Sequence, residues 1–182
     1  MKPHLYKDEG IILSRKTYSE ADRILTIFTK QNGKVTVMAK GVRKLTSRKR
    51  GHIENFSYIR FSATSGQNSM SVITETETVD NFENIRKDLS KIAVAYFLLE
   101  TVNKITHEAE SFSEVFDLLL TYLKKLQTAT RLKELRTNFT QDILIMLGFW
   151  DEGQSTLNSD QALENILERH LSSIRIGKKL IN

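Results

Sequence analysis

The hydrophobic pattern of this chain changes period once, near Asp80, and that change splits it into two modules built from different elements. Before it, apolar residues come in short β-branched runs: 10–15, 23–29, 34–40, 56–63 and 71–79. In the third run Val35, Val37 and Ala39 alternate with Lys34, Thr36 and Lys40, the period of a half-buried strand. Asn32-Gly33 between the second and third runs is a strong short-range hairpin signal, and Ser65-Gly66-Gln67-Asn68 separates the last two. Five strands punctuated by glycine predict a small closed barrel, with the five-stranded OB-fold as the candidate.

After Asp80 the period becomes helical. Residues 89–105 are apolar nearly all round, as in a helix at the centre of a bundle. Ser111 and Glu114 have capping-box spacing and start a helix running to about Leu126. A third helix is expected from about Thr130 to Leu147, burying Leu132, Leu135, Phe139, Ile143 and Met146, with Gly148 at the stop. A fourth starts at Asp160 and turns Leu163, Ile166, Leu167, Leu171 and Ile174 inward. The expected class is α+β, a barrel over residues 1–80 followed by an all-α domain over 81–182.

The two modules also differ in charge. Residues 1–80 hold 14 Lys/Arg against 8 Asp/Glu, or +6, whereas residues 81–182 hold 13 against 14, or −1. From Arg23 to Ile53 there are nine cations and no acid, and six of the nine crowd into Lys40–Arg50. Such a block repels itself unless solvent or a polyanion screens it, and a phosphate backbone gains released counterions on binding. The alternative is a solvated loop. In the fourth strand Phe56, Tyr58 and Arg60 share one face, with Ile59 and Phe61 on the other. If the Tyr58 face meets solvent, it offers a stacking ring beside a cation; otherwise it packs. In the helical module Arg131, Lys133 and Arg136 lie beside Leu135 and Phe139, a pattern that fits either an acidic, apolar-ended peptide or a solvated helix edge.

Catalytic signals are few. The four histidines are widely spaced, there is no cysteine, and Gly33-Lys34 lacks the rest of a phosphate-binding glycine loop. Asp8-Glu9 and Glu20/Asp22 read as strand ends more readily than as nuclease carboxylates. No cofactor is expected and no metal. The start of the chain lacks a secretory apolar region, and the longest apolar run, Ile92–Leu99, is too short for a bilayer. A cytoplasmic protein without membrane contact is the expectation.

Several strings resemble the RecO family of bacterial recombination mediators over roughly residues 6–150. They are the apolar first strand, Tyr18-Ser19-Glu20-Ala21-Asp22-Arg23, Phe28-Thr29, Gly33-Lys34, Ala39-Lys40-Gly41-Val42-Arg43 with Ser47, and Leu147-Gly148-Phe149. A fainter echo falls at Ile174–Leu180. The resemblance implies a non-enzymatic, nucleoid-associated repair protein whose OB-fold binds single- and double-stranded DNA and anneals complementary strands. It implies three partners: RecR, the C-terminal tail of the single-stranded-DNA-binding protein, and, indirectly, the RecA recombinase. The DNA role falls on Lys40 and Arg43, and extends to Arg15, Lys44, Arg48, Lys49 and Arg50. Tail binding falls on Arg131, Lys133, Arg136 and Phe139 by position and chemistry. Many members insert a cysteine-rich zinc segment after the Leu-Gly-aromatic string; here Trp150–Ser159 stands in its place, so no zinc is expected. Two rivals remain at this point: an OB-fold protein of the translation machinery that holds RNA, and a helical interaction scaffold with an incidental basic loop.

Overall fold

The computed structural model describes residues 4–47, 49–66, 69–108, 112–151 and 159–166. Five strands come first: β1 (His4–Thr17), β2 (Arg23–Thr29), β3 (Gly33–Ala39), β4 (Tyr58–Gly66) and β5 (Ser69–Asp80). They close a barrel in the order β1-β2-β3-β5-β4, with β3 and β5 parallel and every other pair antiparallel. This is the OB-fold. Closure removes the free sheet edges that five short strands would otherwise expose.

Alternation decides which side chains fill the barrel. Ile12, Leu25, Ile27, Val37, Ala39, Ile59, Phe61, Ala63 and Ile73 form one buried cluster. Tyr58, on the opposite face of β4, packs its ring edge-on against Phe116, 6.1 Å between centroids. The Tyr58 ring is therefore half-buried by packing, while Arg60 on the same face stays exposed. Phe56 precedes the strand and is buried at a left-handed φ of 53°. At Gly10, β1 crosses β2 so closely that a Cβ would stand 2.6 Å from Ile27 Cγ2 and 2.7 Å from the Phe28 carbonyl oxygen.

β1 begins six residues before the apolar run that announces it, because its charged start is satisfied locally. Asp8 is buried, and its carboxylate accepts hydrogen bonds from the Asn32 side chain (2.7 Å) and the Glu9 amide (2.8 Å). The hairpin at Asn32-Gly33 supplies that asparagine, with Gly33 at φ 63°.

The helices are α1 (Glu83–Arg86), α2 (Leu89–Ile105), α3 (Ser113–Thr128), α4 (Leu132–Met146) and α5 (Ser159–Ile166). The chain forms two compact units: residues 1–81 with 106–116, and residues 82–105 with 117–182. Residues 106–116 join the barrel unit through particular contacts. Lys34 Nζ donates to the Thr106 carbonyl at 2.7 Å, the Thr36 hydroxyl donates to Glu108 at 2.7 Å, and the Phe116 ring meets Phe28 at 6.0 Å.

In the second unit Phe139 is fully buried between Phe97 and Tyr122, with edge-on ring contacts of 6.3 and 5.2 Å. Ile143 and Leu144 are buried beside it in sequence, whereas Leu132 and Leu135 are half-buried and Met146 is exposed. The inward stripe of α4 is thus narrower at its ends than its apolar pattern suggests. Gly148, at φ 75°, terminates α4, and the Phe149 amide reaches back to the Leu144 carbonyl at 2.9 Å, a Schellman closure. Leu163 of α5 is buried. Ser111, Leu167, Leu171 and the segment Ile174–Leu180 lie outside the described residues.

Candidate nucleic-acid interface

The connection between β3 and β4 carries most of the basic window, and it is pinned down along its length. Val42 and Ile53 are almost fully buried in the barrel cluster, so the loop plugs one end of the barrel. Lys49 Nζ donates to the Ile73 carbonyl of β5 at 3.0 Å, and His52 Nδ1 lies 2.8 Å from the Thr78 hydroxyl. The Phe56 amide donates to the Ile12 carbonyl at 2.8 Å.

At its start the same loop is clamped to the β1–β2 turn. The Gly41 amide donates to the Asp22 carboxylate at 2.8 Å, and the Arg43 amide donates to the Ala21 carbonyl at 3.0 Å. The Arg43 guanidinium donates to the Ser19 carbonyl at 2.8 Å. Gly41 sits at φ 65°, where a side chain would be strained. The strings Tyr18–Arg23 and Ala39–Arg43 therefore form one substructure.

These anchors sort the cations. Lys40 and Lys44 are exposed, and neither ammonium has a protein partner among the described residues. Arg43 is exposed and commits only part of its five-donor fork, which leaves N–H groups for a phosphate. Lys49 is half-buried and holds the loop. Arg15 is paired with the Glu54 carboxylate, which offsets its charge. Arg50 opens a short 3-10 helix (Arg50–His52), and Arg48 lies outside the described residues. Lys34 belongs to the window by sequence but turns toward Thr106; burial pulls its pKa below the ordinary lysine value, and Glu108 opposes that shift.

Two residues at this end of the barrel carry no signal in a count of charge, and a third, Lys16, lies outside the acid-free window. Tyr18 is 61% exposed in the β1–β2 turn and Leu45 is 90% exposed after Lys44. Lys16 is exposed and pairs in register with Ile24, which pairs with Met38 one strand further. Register alone reveals Lys16, and register is visible only once the hairpins are paired.

In the helical unit the four tail-binding candidates separate. Arg131 and Lys133 are exposed, and Arg131 forms a 3.4 Å ion pair with Glu134. Arg136 is only 6% exposed, its guanidinium 4.3 Å from the centroid of the Phe97 ring, and Phe139 is core. A cleft of about 320 Å³ opens at the α3–α4 turn, lined by Tyr122, Lys125, Arg131, Glu134 and Leu135 among others. Lys125 Nζ lies 4.8 Å over the Tyr122 ring. No helix of the described residues is long and apolar enough to cross a membrane.

Comparison with known proteins adds to this geometry. Residues 1–82 match the family described as recombination protein O N terminal, and residues 86–150 match recombination protein O C terminal. Over 149 residues the chain is 34% identical to the DNA repair protein RecO of Roseiflexus sp. (strain RS-1), covering 82% of this chain and 52% of the relative. The protein of the same name from Dehalococcoides mccartyi (strain ATCC BAA-2266 / KCTC 15142 / 195) is 33% identical over 162 residues, 89% of this chain and 64% of the relative. That of Alkaliphilus metalliredigens (strain QYMF) is 36% identical over 139 residues, covering 72% and 56% respectively. The chain thus spans between about half and two thirds of the length of these curated relatives.

Proposed function

Since this chain belongs to the RecO family, we propose that it is a non-enzymatic DNA-binding protein of repair and recombination. Its barrel holds single and double strands through phosphates, and it brings complementary strands together. The observation that carries this reading is the loop after β3. Its backbone amides are fixed to the β1–β2 turn and its Lys49 side chain to β5, while the Lys40 and Lys44 side chains remain exposed. A solvated spacer loop has no need of such anchors; fixed cations on a pinned backbone suit a polyanion whose charges are regularly spaced.

On the same reading the helical unit receives the C-terminal tail of the single-stranded-DNA-binding protein. The cleft at the α3–α4 turn supports this, because Lys125 and Arg131 can grip carboxylates beside the apolar edge of Leu135 and Tyr122. Lys133 adds charge nearby in sequence and Phe139 backs Tyr122 from the core, whereas Arg136 lies buried against Phe97. Association with RecR, and help to RecA in displacing the coating protein, complete the proposed role in the nucleoid.

The test is annealing of complementary strands that have been coated beforehand with the cognate single-stranded-DNA-binding protein. Acceleration over the spontaneous rate is the expected result, and no acceleration would overturn the annealing role. Competition between single-stranded DNA and structured RNA, run alongside, would reveal an RNA-binding protein if RNA won.

A further inference from the structure

We propose that the β1–β2 turn binds unpaired nucleobases, with Tyr18 as the stacking ring and Leu45 as a second apolar contact, so that the basic surface distinguishes single strands from duplex. This rests on the DNA reading of that surface and goes beyond it, since phosphate contacts alone do not separate the two forms of DNA.

Both side chains are anomalous where they stand. Tyr18 is 61% exposed and Leu45 90% exposed, in a barrel whose other large residues are mostly packed. Leu45 follows Lys44 directly, and Tyr18 precedes Ser19, whose carbonyl holds the Arg43 guanidinium. Each apolar group is therefore tied to a cation of the proposed phosphate track. The Tyr18 amide also donates to the Asp22 carbonyl at 3.2 Å, and the Asp22 side chain fixes Gly41. The backbone that carries the ring is thus held from two sides, so the turn itself needs little ordering when a base stacks on the ring.

The chemistry favours unpaired bases. Any base has a π-face, so stacking needs no sequence code, but a base inside a duplex already has both faces covered. An exposed leucine gains by covering an unstacked base and gains nothing against a phosphate. Glu20 is the exposed acid of this turn; Lys16, Lys40, Arg43 and Lys44 outweigh it.

The experiment compares the full chain with a Y18A/L45S double variant and a Y18F variant. Affinities for a labelled oligothymidine and for a duplex of equal length are measured by fluorescence anisotropy. The double variant should lose about tenfold or more on the single strand, stay within about twofold on the duplex, and keep the salt slope of the parent. Tyr18→Phe should bind both as the parent does. A second readout uses 2-aminopurine placed in the oligothymidine: the parent should quench it, and Tyr18→Leu, which keeps bulk without a π-face, should not. Undiminished single-strand binding by the double variant, an equal loss on both DNAs, or an undiminished quench with Tyr18→Leu would overturn the inference. A parent chain that binds neither DNA would instead overturn the DNA reading itself, and this inference with it.

Discussion

The Asp22 carboxylate accepts the Gly41 amide across a gap of 19 residues, at 2.8 Å, and this bond sets the start of the basic loop. Gly41 takes a left-handed backbone there, and the Arg43 amide and guanidinium bond to Ala21 and Ser19 on the same turn. Two short strings far apart in sequence thus depend on each other.

Replacing Asp22 with alanine should cost about 1.5–3 kcal/mol, the usual range for a hydrogen bond to a charged acceptor. Asp22→Asn keeps an acceptor oxygen and should cost less. Gly41→Ala should cost about 1–2 kcal/mol through backbone strain alone. Urea denaturation of the three variants is the check. Equal stability of parent and Asp22→Ala would mean that the clamp contributes nothing.

Gly10→Ala should be more damaging than Gly41→Ala, whose added methyl meets nothing closer than 4.0 Å. The added methyl would meet the Phe28 carbonyl oxygen at 2.7 Å, a backbone atom of the neighbouring strand that cannot turn aside. Overpacking of this kind costs about 1–3 kcal/mol and sometimes more. The expected result is a urea midpoint clearly below that of the parent; an unchanged midpoint would show that β1 and β2 separate easily.

The barrel was largely legible because strand alternation and the Asn32-Gly33 hairpin are local signals. β2 and β3 fall where their patterns put them. The apolar run marks only part of β1, because a buried Asp8 looks like a strand end until Asn32, 24 residues away, is placed beside it. The same non-local logic limited the site. Charge counting finds the basic window, yet it cannot separate Lys40 and Lys44, which face solvent, from Lys34 and Lys49, which bond to carbonyls. It cannot see that Arg136 lies against Phe97 either. Period alone marks Phe139 as apolar without saying whether it faces a groove or the core.

Alkaline pH should expose the bond between Tyr122 and Asp142. The phenol donates to the carboxylate at 2.5 Å, and burial first, then the Asp142 bond and its charge, push the Tyr122 pKa well above the ordinary tyrosine value. The folded state therefore holds this proton more tightly than the unfolded chain, whose tyrosines titrate near about pH 10. The contribution is full below that pH and is lost as the pH rises above it. Tyr122→Phe should lose about 1–2 kcal/mol at pH 7 and decline less steeply above about pH 10. Urea midpoints of parent and variant, compared across that range, isolate this group from other titrations. Parallel curves would rule out its coupling to folding.

Reversing Lys40 and Lys44 should weaken DNA binding through phosphates without touching the fold. Both side chains are exposed and lack protein partners among the described residues, whereas Arg43 holds the β1–β2 turn and would confound the result. Phosphate contacts carry no base code, so K40E/K44E should weaken all sequences about equally. Each lost contact should flatten the dependence of log affinity on log salt by roughly 0.7 on single strands and 0.9 on duplex. Glutamate also repels the backbone, so the loss at low salt should exceed that of the K40Q/K44Q pair, and the two pairs should converge as salt screens the added charge. Titrations at several salt concentrations, with circular dichroism as the folding control, decide the matter. A folded K40E/K44E protein with the affinity and salt slope of the parent would remove this loop from the DNA surface, and the cations of the interface would then have to be sought among Lys16 and the residues of β1.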